Sequence, residues 1–376
     1  MNANTSRQNA AAWEEGAQLF DRTTRDLPPG RHQFHKERMM AQIHETRQTE
    51  HTATATNGAN GPTGANGATP AKARRFRLSR PAIALPALAA TVAAAVIAVV
   101  VTSGGESRPG LATGPALTTT IGVASAEGAP RLLDEIALAA ADGKHPVAKP
   151  GQYIYIESKT ADTFVRTVDG ESSLASYALH TRQVWESPDG TKGWLIDPAV
   201  NDSSEGETLS LPDEQGNTPR ATLNAPSYDY LAKLTTDPDT LLAKIYKETE
   251  GQGNTPDQQA FATIGDLLGE SYPPAELVSA LFKAAAKIPG VVVVDDAVDA
   301  AGRHGVAVAR LDETSGQREE WIFDKKTHVY LGERIVQVNR VSGDDGLIKP
   351  GTIVFTSAIM KRAIVDGIKQ TPSHSG

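Results

Sequence analysis

The hydrophobic pattern changes its period twice between residue 151 and residue 370. Runs such as Tyr153-Ile154-Tyr155-Ile156 cluster β-branched and aromatic residues, which is typical of half-buried strands. From residue 237 to residue 290 the apolar residues recur at helical spacing, and strand-like runs then return. Strands, a helical insertion and further strands predict an α+β domain over 151–370, built on an antiparallel meander rather than on alternating βαβ units.

Turn signals separate the predicted strands, and one hairpin can be placed directly. Pro188 and Gly190 predict a tight turn at 187–190, because proline presets φ and glycine accepts a positive φ. This turn would pair Trp185 with Trp194. The predicted strands span 152–158, 163–168, 178–186, 191–196, 291–294, 305–311, 318–323, 329–338 and 351–356.

Capping signals place three helices in the insertion. Asp237 and Thr255 are predicted N-caps, and each is followed by a proline at the first helical position. A third helix opens at Pro273-Pro274 and ends before Gly290. The apolar positions behind these caps predict one buried stripe on each helix: Leu241, Leu242 and Ile245; Phe261, Ile264, Leu267 and Leu268; Leu277, Leu281, Ala284 and Ile288.

An uncharged stretch from Pro81 to Gly105 predicts one transmembrane helix, which we place at 81–103. At about 1.5 Å rise per residue, roughly 20 residues cross a hydrocarbon core of about 30 Å. The positive-inside rule puts the N-terminus in the cytoplasm and the C-terminal domain outside the cell membrane, because four arginines precede the stretch: Arg74, Arg75, Arg77 and Arg80. Two alternatives stay open, a buried helix of a soluble protein and a signal peptide cleaved near Ala126.

The segments around this span differ in composition. Residues 1–50 predict a cytoplasmic helical segment, and residues 51–80 a flexible Gly/Asn/Thr-rich linker with a basic flank. Residues 104–150 predict a spacer with one helical stretch at 130–141. The apolar positions of the cytoplasmic segment are candidates for contact with a cytoplasmic partner: Trp13, Ala17, Phe20, Met39, Met40 and Ile43.

Net charge supports this division of the chain. The chain carries −8 overall, but residues 1–80 have 12 Lys/Arg against 7 Asp/Glu, and residues 81–376 have 25 against 38. Residues 1–80 therefore carry a net charge of +5, and residues 81–376 carry a net charge of −13. We expect no direct nucleic-acid binding by this chain. The chain has no cysteine, which excludes disulfides, thiol catalysis and cysteine-ligated metals.

The sequence predicts a ligand-binding protein rather than an enzyme. The sequence has no P-loop, nucleophile elbow or zinc-protease motif, so we assign no catalytic, cofactor-binding or metal-ligating residue and expect no enzyme. Five aromatic residues on predicted strands are candidates for lining a ligand groove: Trp185, Trp194, Trp321, Tyr153 and Tyr155. The alternative for them is ordinary core packing.

Short segments stand in a recognisable order along the chain. They begin at Leu27-Pro28-Pro29-Gly30 and continue through 153–157, 182–190, 236–239, 251–254, 288–291, 299–303, 320–324 and 331–333. In this order they resemble an actinobacterial family of single-pass membrane proteins that has no settled activity and is often associated with extracytoplasmic-function sigma factors. More weakly, the order of elements in the outer domain is similar to the half-barrels of the LolA/RseB type, in which an apolar groove binds lipid or a partner.

These resemblances imply two functions. The first is an anti-sigma-like signalling regulator, whose inner segment binds a sigma factor or another regulator while the outer domain acts as a sensor. The alternative is a membrane-anchored module that binds lipid or another envelope ligand. Absence of cysteine excludes the zinc-binding anti-sigma motif, which needs cysteine ligands.

Overall fold

The computed structural model describes residues 98–100, 111–143, 147–168, 171–201, 203–209, 220–340 and 346–372. In this part of the chain the helices are α1 (Ala129–Ala141), α2 (Tyr228–Leu231), α3 (Pro238–Glu248), α4 (Pro256–Glu270) and α5 (Ala275–Ala285). The strands are β1 (Ala98–Val100), β2 (Thr113–Pro115), β3 (Ala124–Ser125), β4 (Tyr153–Val168), β5 (Glu171–Tyr177), β6 (His180–Glu186), β7 (Gly193–Ile196), β8 (Glu207–Thr208), β9 (Val291–Val298), β10 (His304–Asp312), β11 (Gln317–Phe323), β12 (Tyr330–Gln337) and β13 (Ile353–Val365).

The strands form one sheet that is antiparallel except where β1 lies parallel to β4. The main path runs β3-β9-β10-β11-β12-β13-β4-β6-β7-β8. Strand β4 joins the two halves of the path, because its first part pairs with β13 on one side and β6 on the other. Its second part pairs with β5, which in turn pairs with β2. The described residues therefore have the α+β fold that the sequence predicts.

All five helices place side chains in one core against β10 and β11. The ring of Phe261 on α4 stacks on Trp321 of β11 with centroids 3.8 Å apart, and Phe282 of α5 meets Phe323 edge-on at 5.5 Å. Helix α4 comes this close because residue 265 is glycine. A Cβ at that position would lie 2.4 Å from Nε1 of Trp321 and 2.6 Å from Oε1 of Glu319.

The capping signals of the insertion are confirmed. The Asp237 side chain accepts a hydrogen bond from the backbone N–H of Thr240, and Thr255 accepts one from Gln258. The turn at 187–190 also forms as predicted, and Trp185 pairs with Trp194 across the hairpin. The two N-caps and the turn were therefore predicted correctly, because each depends on sterics or hydrogen bonds within a few residues.

The opposite face of β11 carries a buried ion cluster. Glu320 is fully buried, and its two carboxylate oxygens accept hydrogen bonds from Nε of Arg318 and Nε of Arg334, each at 2.7 Å. The remaining guanidinium donors hold the preceding segment of the chain: Arg318 donates to the carbonyl of Gly122 at 3.0 Å, and Arg334 to the hydroxyl of Thr119 at 3.3 Å. This cluster thus fastens residues 119–122 to the sheet.

Several elements differ from the sequence prediction. Strand β5 was not predicted, because Glu171–Tyr177 is rich in serine and lacks an apolar alternation. Strand β13 extends to Val365, well past the predicted end at 356, and β4 is one continuous strand. In the predicted spacer 104–150, α1 buries Leu133 and Ile136 in the main core, so this helix is part of the domain.

The predicted membrane span, the linker and the cytoplasmic segment lie outside the described residues, apart from Ala98–Val100. Those three residues form strand β1 beside Val165–Thr167 where the sequence predicted helix, and β-branched valines suit a strand. Among the helices that the structure describes, none combines the length and the apolar composition needed to span a bilayer.

Removing the charge at Glu320 tests the ion cluster. We expect Glu320→Gln to lower the free energy of unfolding by about 3–5 kcal/mol, because two buried guanidinium groups lose their counter-charge. Urea denaturation of the purified chain, followed by circular dichroism, measures this.

The matched control for this prediction is Glu135→Gln, which breaks an exposed i,i+4 pair with Arg131. We expect a change within about 0.5 kcal/mol for that surface substitution. Equal effects of the two substitutions would contradict a stabilising role for the buried cluster.

Candidate functional site

Four of the five aromatic groove candidates lie together on the face of the sheet opposite the helices. Tyr155, Trp185 and Trp194 are cross-strand neighbours on β4, β6 and β7, and Tyr153 lies on the same face of β4. The Tyr155 and Trp185 rings are 5.0 Å apart. These two side chains are buried, whereas Tyr153 and Trp194 are half-buried. We call these four residues, with Ile196, Ala363, Val365 and Ile368, the aromatic cluster.

Trp321 does not belong to this cluster. It faces the helices, stacks on Phe261 and donates a hydrogen bond from Nε1 to Oε1 of Glu319 at 3.0 Å. The alternation of side chains along a strand separates it from the other four residues, since they face the opposite side of the sheet. Trp321 is therefore a core residue.

A short piece of chain after β13 lies over the aromatic cluster, and we call residues 366–372 the covering segment. Nε1 of Trp185 donates to the carbonyl of Gln370 at 2.7 Å, and Ile368 packs into the cluster. The ammonium of Lys369 lies 4.6 Å from the centre of the Trp194 ring. Lys369 has a φ of 64°, a left-handed conformation that costs energy for a residue with a side chain.

The loop between β7 and β8 closes on the same residues. Nε1 of Trp194 donates to the carbonyl of Glu205 at 2.9 Å, and the Glu205 carboxylate lies 2.9 Å from the ammonium of Lys369. The hydrogen bond and charge of Lys369 hold the pKa of Glu205 below its ordinary value. The half-buried indole of Trp194 is thus flanked by an ammonium and a carboxylate.

The polar groups next to the cluster are hydrogen-bonded to one another. Tyr155 donates from its hydroxyl to Oε2 of Glu157 at 2.5 Å and accepts a hydrogen bond from Nε2 of Gln183 at 2.7 Å. Burial and the hydrogen bond to Glu157 raise the pKa of Tyr155 well above its ordinary value. The phenol therefore stays neutral and fixed in position.

A buried His–Asp pair anchors the start of the β7–β8 loop. Nε2 of His180 lies 3.0 Å from Oδ1 of Asp197, and Nδ1 of His180 lies 2.9 Å from the carbonyl of Ala178. Arg182 lies 3.6 Å from the other Asp197 oxygen. Burial opposes a positive charge on His180, but Asp197, the Ala178 carbonyl and nearby Asp162 outweigh it and raise the pKa of His180.

The pKa of Asp197 shifts in the opposite direction. Burial alone would raise its pKa, but the hydrogen bond from His180 and the charge of Arg182 lower the pKa of Asp197 below its ordinary value. The imidazole of His180 lies between the Ala178 carbonyl and the Asp197 carboxylate, so it is placed to hold the loop rather than to accept a proton from a substrate.

The described residues offer little else that could act on a ligand. No group of three or more His, Cys, Asp or Glu side chains is arranged to hold a metal ion in the part of the chain with described coordinates. A pocket of about 160 Å³ opens beside Tyr153, between residues 150–153 and the hairpin turn. This arrangement can bind through aromatic surface and two charges.

The candidates for cytoplasmic partner contact, Trp13, Ala17, Phe20, Met39, Met40 and Ile43, lie outside the described residues. Sequence reasoning missed Glu205, Ile368 and Lys369, which complete the site from a loop and from the chain after the last strand. Only the isolated apolar Ile368 beside a lysine gave a local signal there.

No protein-family model matches the sequence, and no curated protein matches it. The resemblance to a sigma-factor-associated family therefore remains an expectation from the sequence.

Stability should depend on pH through His180. Because its pKa is raised in the folded chain, the stabilisation it provides is complete below its ordinary value of about 6.5 and is lost as pH rises through the folded value. We expect the difference in free energy of unfolding between the wild type and His180→Gln to be largest below pH 6.5 and to shrink at higher pH.

Urea denaturation at a series of pH values between 5 and 9 (about 1 unit apart) measures this difference. His304→Gln is the control, since the pair of His304 with Asp296 is exposed on both sides and should contribute little to the free energy of unfolding. A difference between wild type and His180→Gln that stays constant over this range would contradict the role of the pair.

Proposed function

We propose that the chain is a single-pass regulator of the cell membrane whose α+β domain recognises a ligand outside the cell, and whose residues 1–50 bind a sigma factor or another regulator inside. The observation that carries the recognition role is the aromatic cluster, in which Tyr153 and Trp194 are half-buried and over which the covering segment and the β7–β8 loop lie. Aromatic side chains that present both apolar surface and a polar N–H or O–H are typical of recognition surfaces.

The membrane part of the proposal rests on sequence. The uncharged stretch at 81–105 follows four arginines and separates a basic from an acidic part of the chain. A regulator of this layout needs an inner segment that contacts a partner, and the apolar positions of residues 1–50 supply a surface of that kind.

The alternative is a membrane-anchored module that binds lipid or another envelope ligand in a half-barrel. One observation argues against a ligand site of this kind in the space between the sheet and the helices. Phe261 stacks directly on Trp321, and Gly265 admits the helix with no room for a Cβ, so this interface is filled by protein side chains. Recognition at the opposite face is the better-supported role.

Absence of cysteine makes the membrane topology directly testable. We expect a membrane-impermeant maleimide to label Ala243→Cys on α3 in intact cells, because this exposed residue lies in the domain that we place outside. Ser6→Cys should react only after the membrane is permeabilised. The unsubstituted chain is the blank, and labelling of both positions in intact cells would overturn the orientation.

The inner partner is tested by affinity capture from detergent-solubilised membranes. We expect the full chain to recover a sigma factor and a chain lacking residues 1–50 to lose it, because the segment proposed to bind the partner is removed while the outer domain is kept. Mass spectrometry identifies the recovered proteins.

Solvent extracts of the same preparations separate the two functions. An acyl species that co-purifies with both chains at equal molar ratio, together with no transcription factor in either, would support the lipid-binding alternative and overturn the regulator.

A further inference from the structure

We propose that His180 is a proton-dependent latch for the β7–β8 loop, residues 197–206. With both ring nitrogens protonated it holds the start of the loop, and loss of one proton loosens the loop together with its contacts to Trp194. As regulation of the surface proposed for ligand recognition, the inference rests on the proposed function, whereas the latch itself does not.

The imidazole of His180 lies between two groups that accept hydrogen bonds and cannot donate them. Its Nδ1 lies 2.9 Å from the carbonyl oxygen of Ala178, and its Nε2 lies 3.0 Å from an oxygen of the ionised Asp197 carboxylate. A neutral imidazole carries one N–H, so either tautomer leaves a nitrogen lone pair against one of these oxygens. Only the imidazolium presents a hydrogen to both, and the geometry therefore favours the charged form.

The charged groups that face this imidazole come from three elements of the sheet. Asp197 follows β7, Asp162 lies on β4, and Arg182 lies on β6, 3.6 Å from the second oxygen of Asp197. Burial opposes the imidazolium, but the two carboxylates and the Ala178 carbonyl outweigh burial and raise the pKa of His180. The proton is therefore bound below the ordinary value of 6.5 and lost as the pH rises through the folded value.

Asp197 links the charge of the histidine to the order of the loop. Its Oδ1 accepts the backbone N–H of Ala199 at 2.9 Å, and its carbonyl accepts those of Val200 and Asn201 at 3.0 and 2.8 Å. Its Oδ2 is buried and accepts no hydrogen bond in the part of the chain that the structure describes, so the carboxylate depends on nearby cations. Loss of the imidazolium leaves this buried charge with less compensation, which destabilises the turn built on it.

A second turn of the same kind shows what is particular to this one. Asp312 accepts one backbone N–H at its side chain, from two residues on, and another at its carbonyl, from four residues on, at 3.0 and 2.8 Å. These are the contacts that Asp197 makes. The other oxygen of Asp312 accepts hydrogen bonds from Asn254 and Ser315, whose side chains do not titrate. The two turns therefore differ in the group that holds the carboxylate, and His180 makes one of them sensitive to pH.

The far end of the loop carries the contacts with the recognition surface. The carbonyl of Glu205 accepts the hydrogen bond of Trp194, and its carboxylate pairs with Lys369. This pair is exposed on both sides and contributes little to stability, so the position of the tip depends on the base of the loop. The backbone N–H of Gly206 donates to the carbonyl of Ser203 at 3.0 Å, which gives one amide at which order of the tip can be followed.

Hydrogen–deuterium exchange of the full chain in detergent, read by mass spectrometry, measures the latch. Rates are corrected for the intrinsic effect of pH on exchange. We expect the protection factors of residues 199–201 to fall about 10-fold between about pH 6 and about pH 9, as for loss of one charge-assisted hydrogen bond. Protection of Gly206 should fall with them. The turn at 312–316 is the internal control and should change by less than about twofold.

Two variants identify the titrating group. His180→Gln should abolish the pH dependence of residues 199–201, because glutamine carries no titrating proton. His304→Gln is the matched control and should keep the pH dependence of the wild type, since the pair of His304 with Asp296 is exposed and lies in another loop. The pH series of the wild type decides the proposal even where the buried substitution prevents folding.

Three results would overturn the latch. The first is constant protection of residues 199–201 over this pH range, and the second is an equal fall in the turn at 312–316, which would mean a global loss of stability. The third is a fall confined to residues 199–201, which would break the link to Trp194. The experiment contains no ligand and no inner partner, so each result leaves the sigma-factor capture unaffected, and failure of that capture leaves the exchange result standing.

Discussion

Strand β11 is the element on which the rest of the domain depends, because all seven of its residues are buried. A strand buried on both faces must satisfy every polar side chain it carries. Trp321 and Phe323 face the helices and fix α4 and α5. Arg318 and Glu320 face the other way and fasten the segment before α1 through Gly122. One strand thus holds the helical layer on one face and the preceding chain on the other.

The two faces of the sheet are closed by different means. On the helix side, aromatic stacking and the small Gly265 allow close packing of rigid elements. On the other side, no helix of the described residues packs on the aromatic cluster, and the described segments that lie over it are short and irregular. Short segments bury less apolar surface than a helix and open more readily. The site is therefore found where the fold leaves a covered but lightly held surface.

Local physical signals explain which parts of the fold could be predicted. The caps at Asp237 and Thr255 and the turn at Gly190 each have a cause within four residues, and they were placed correctly. The end of β13 has no such cause. Its residues 357–365 extend as a strand because β4 and its register partners are already there. Strand β5 is a similar case, since its serines pair only because β4 continues beyond residue 162.

The residues of the candidate site likewise differ in whether a local signal in the sequence predicts their position. Clustering of Tyr155, Trp185 and Trp194 could be predicted in part, because the hairpin register sets Trp185 opposite Trp194. Separation of Trp321 from them follows from the position of β11 in the sheet, which the sequence pattern alone did not establish. Glu205 and Lys369 are 164 residues apart in sequence, and only the tertiary fold brings them together.

The β7–β8 loop connects the buried His180–Asp197 pair to the aromatic cluster. Its first residue, Asp197, is fixed by His180 in a buried pair, and its own carbonyl and carboxylate then order the turn through Val200, Asn201 and Ala199. Its far end supplies Glu205 to Lys369 and a carbonyl to Trp194. A loop ordered at its base presents its tip at a defined position, so the pairing of Glu205 with Lys369 depends on the buried histidine at the other end of the loop.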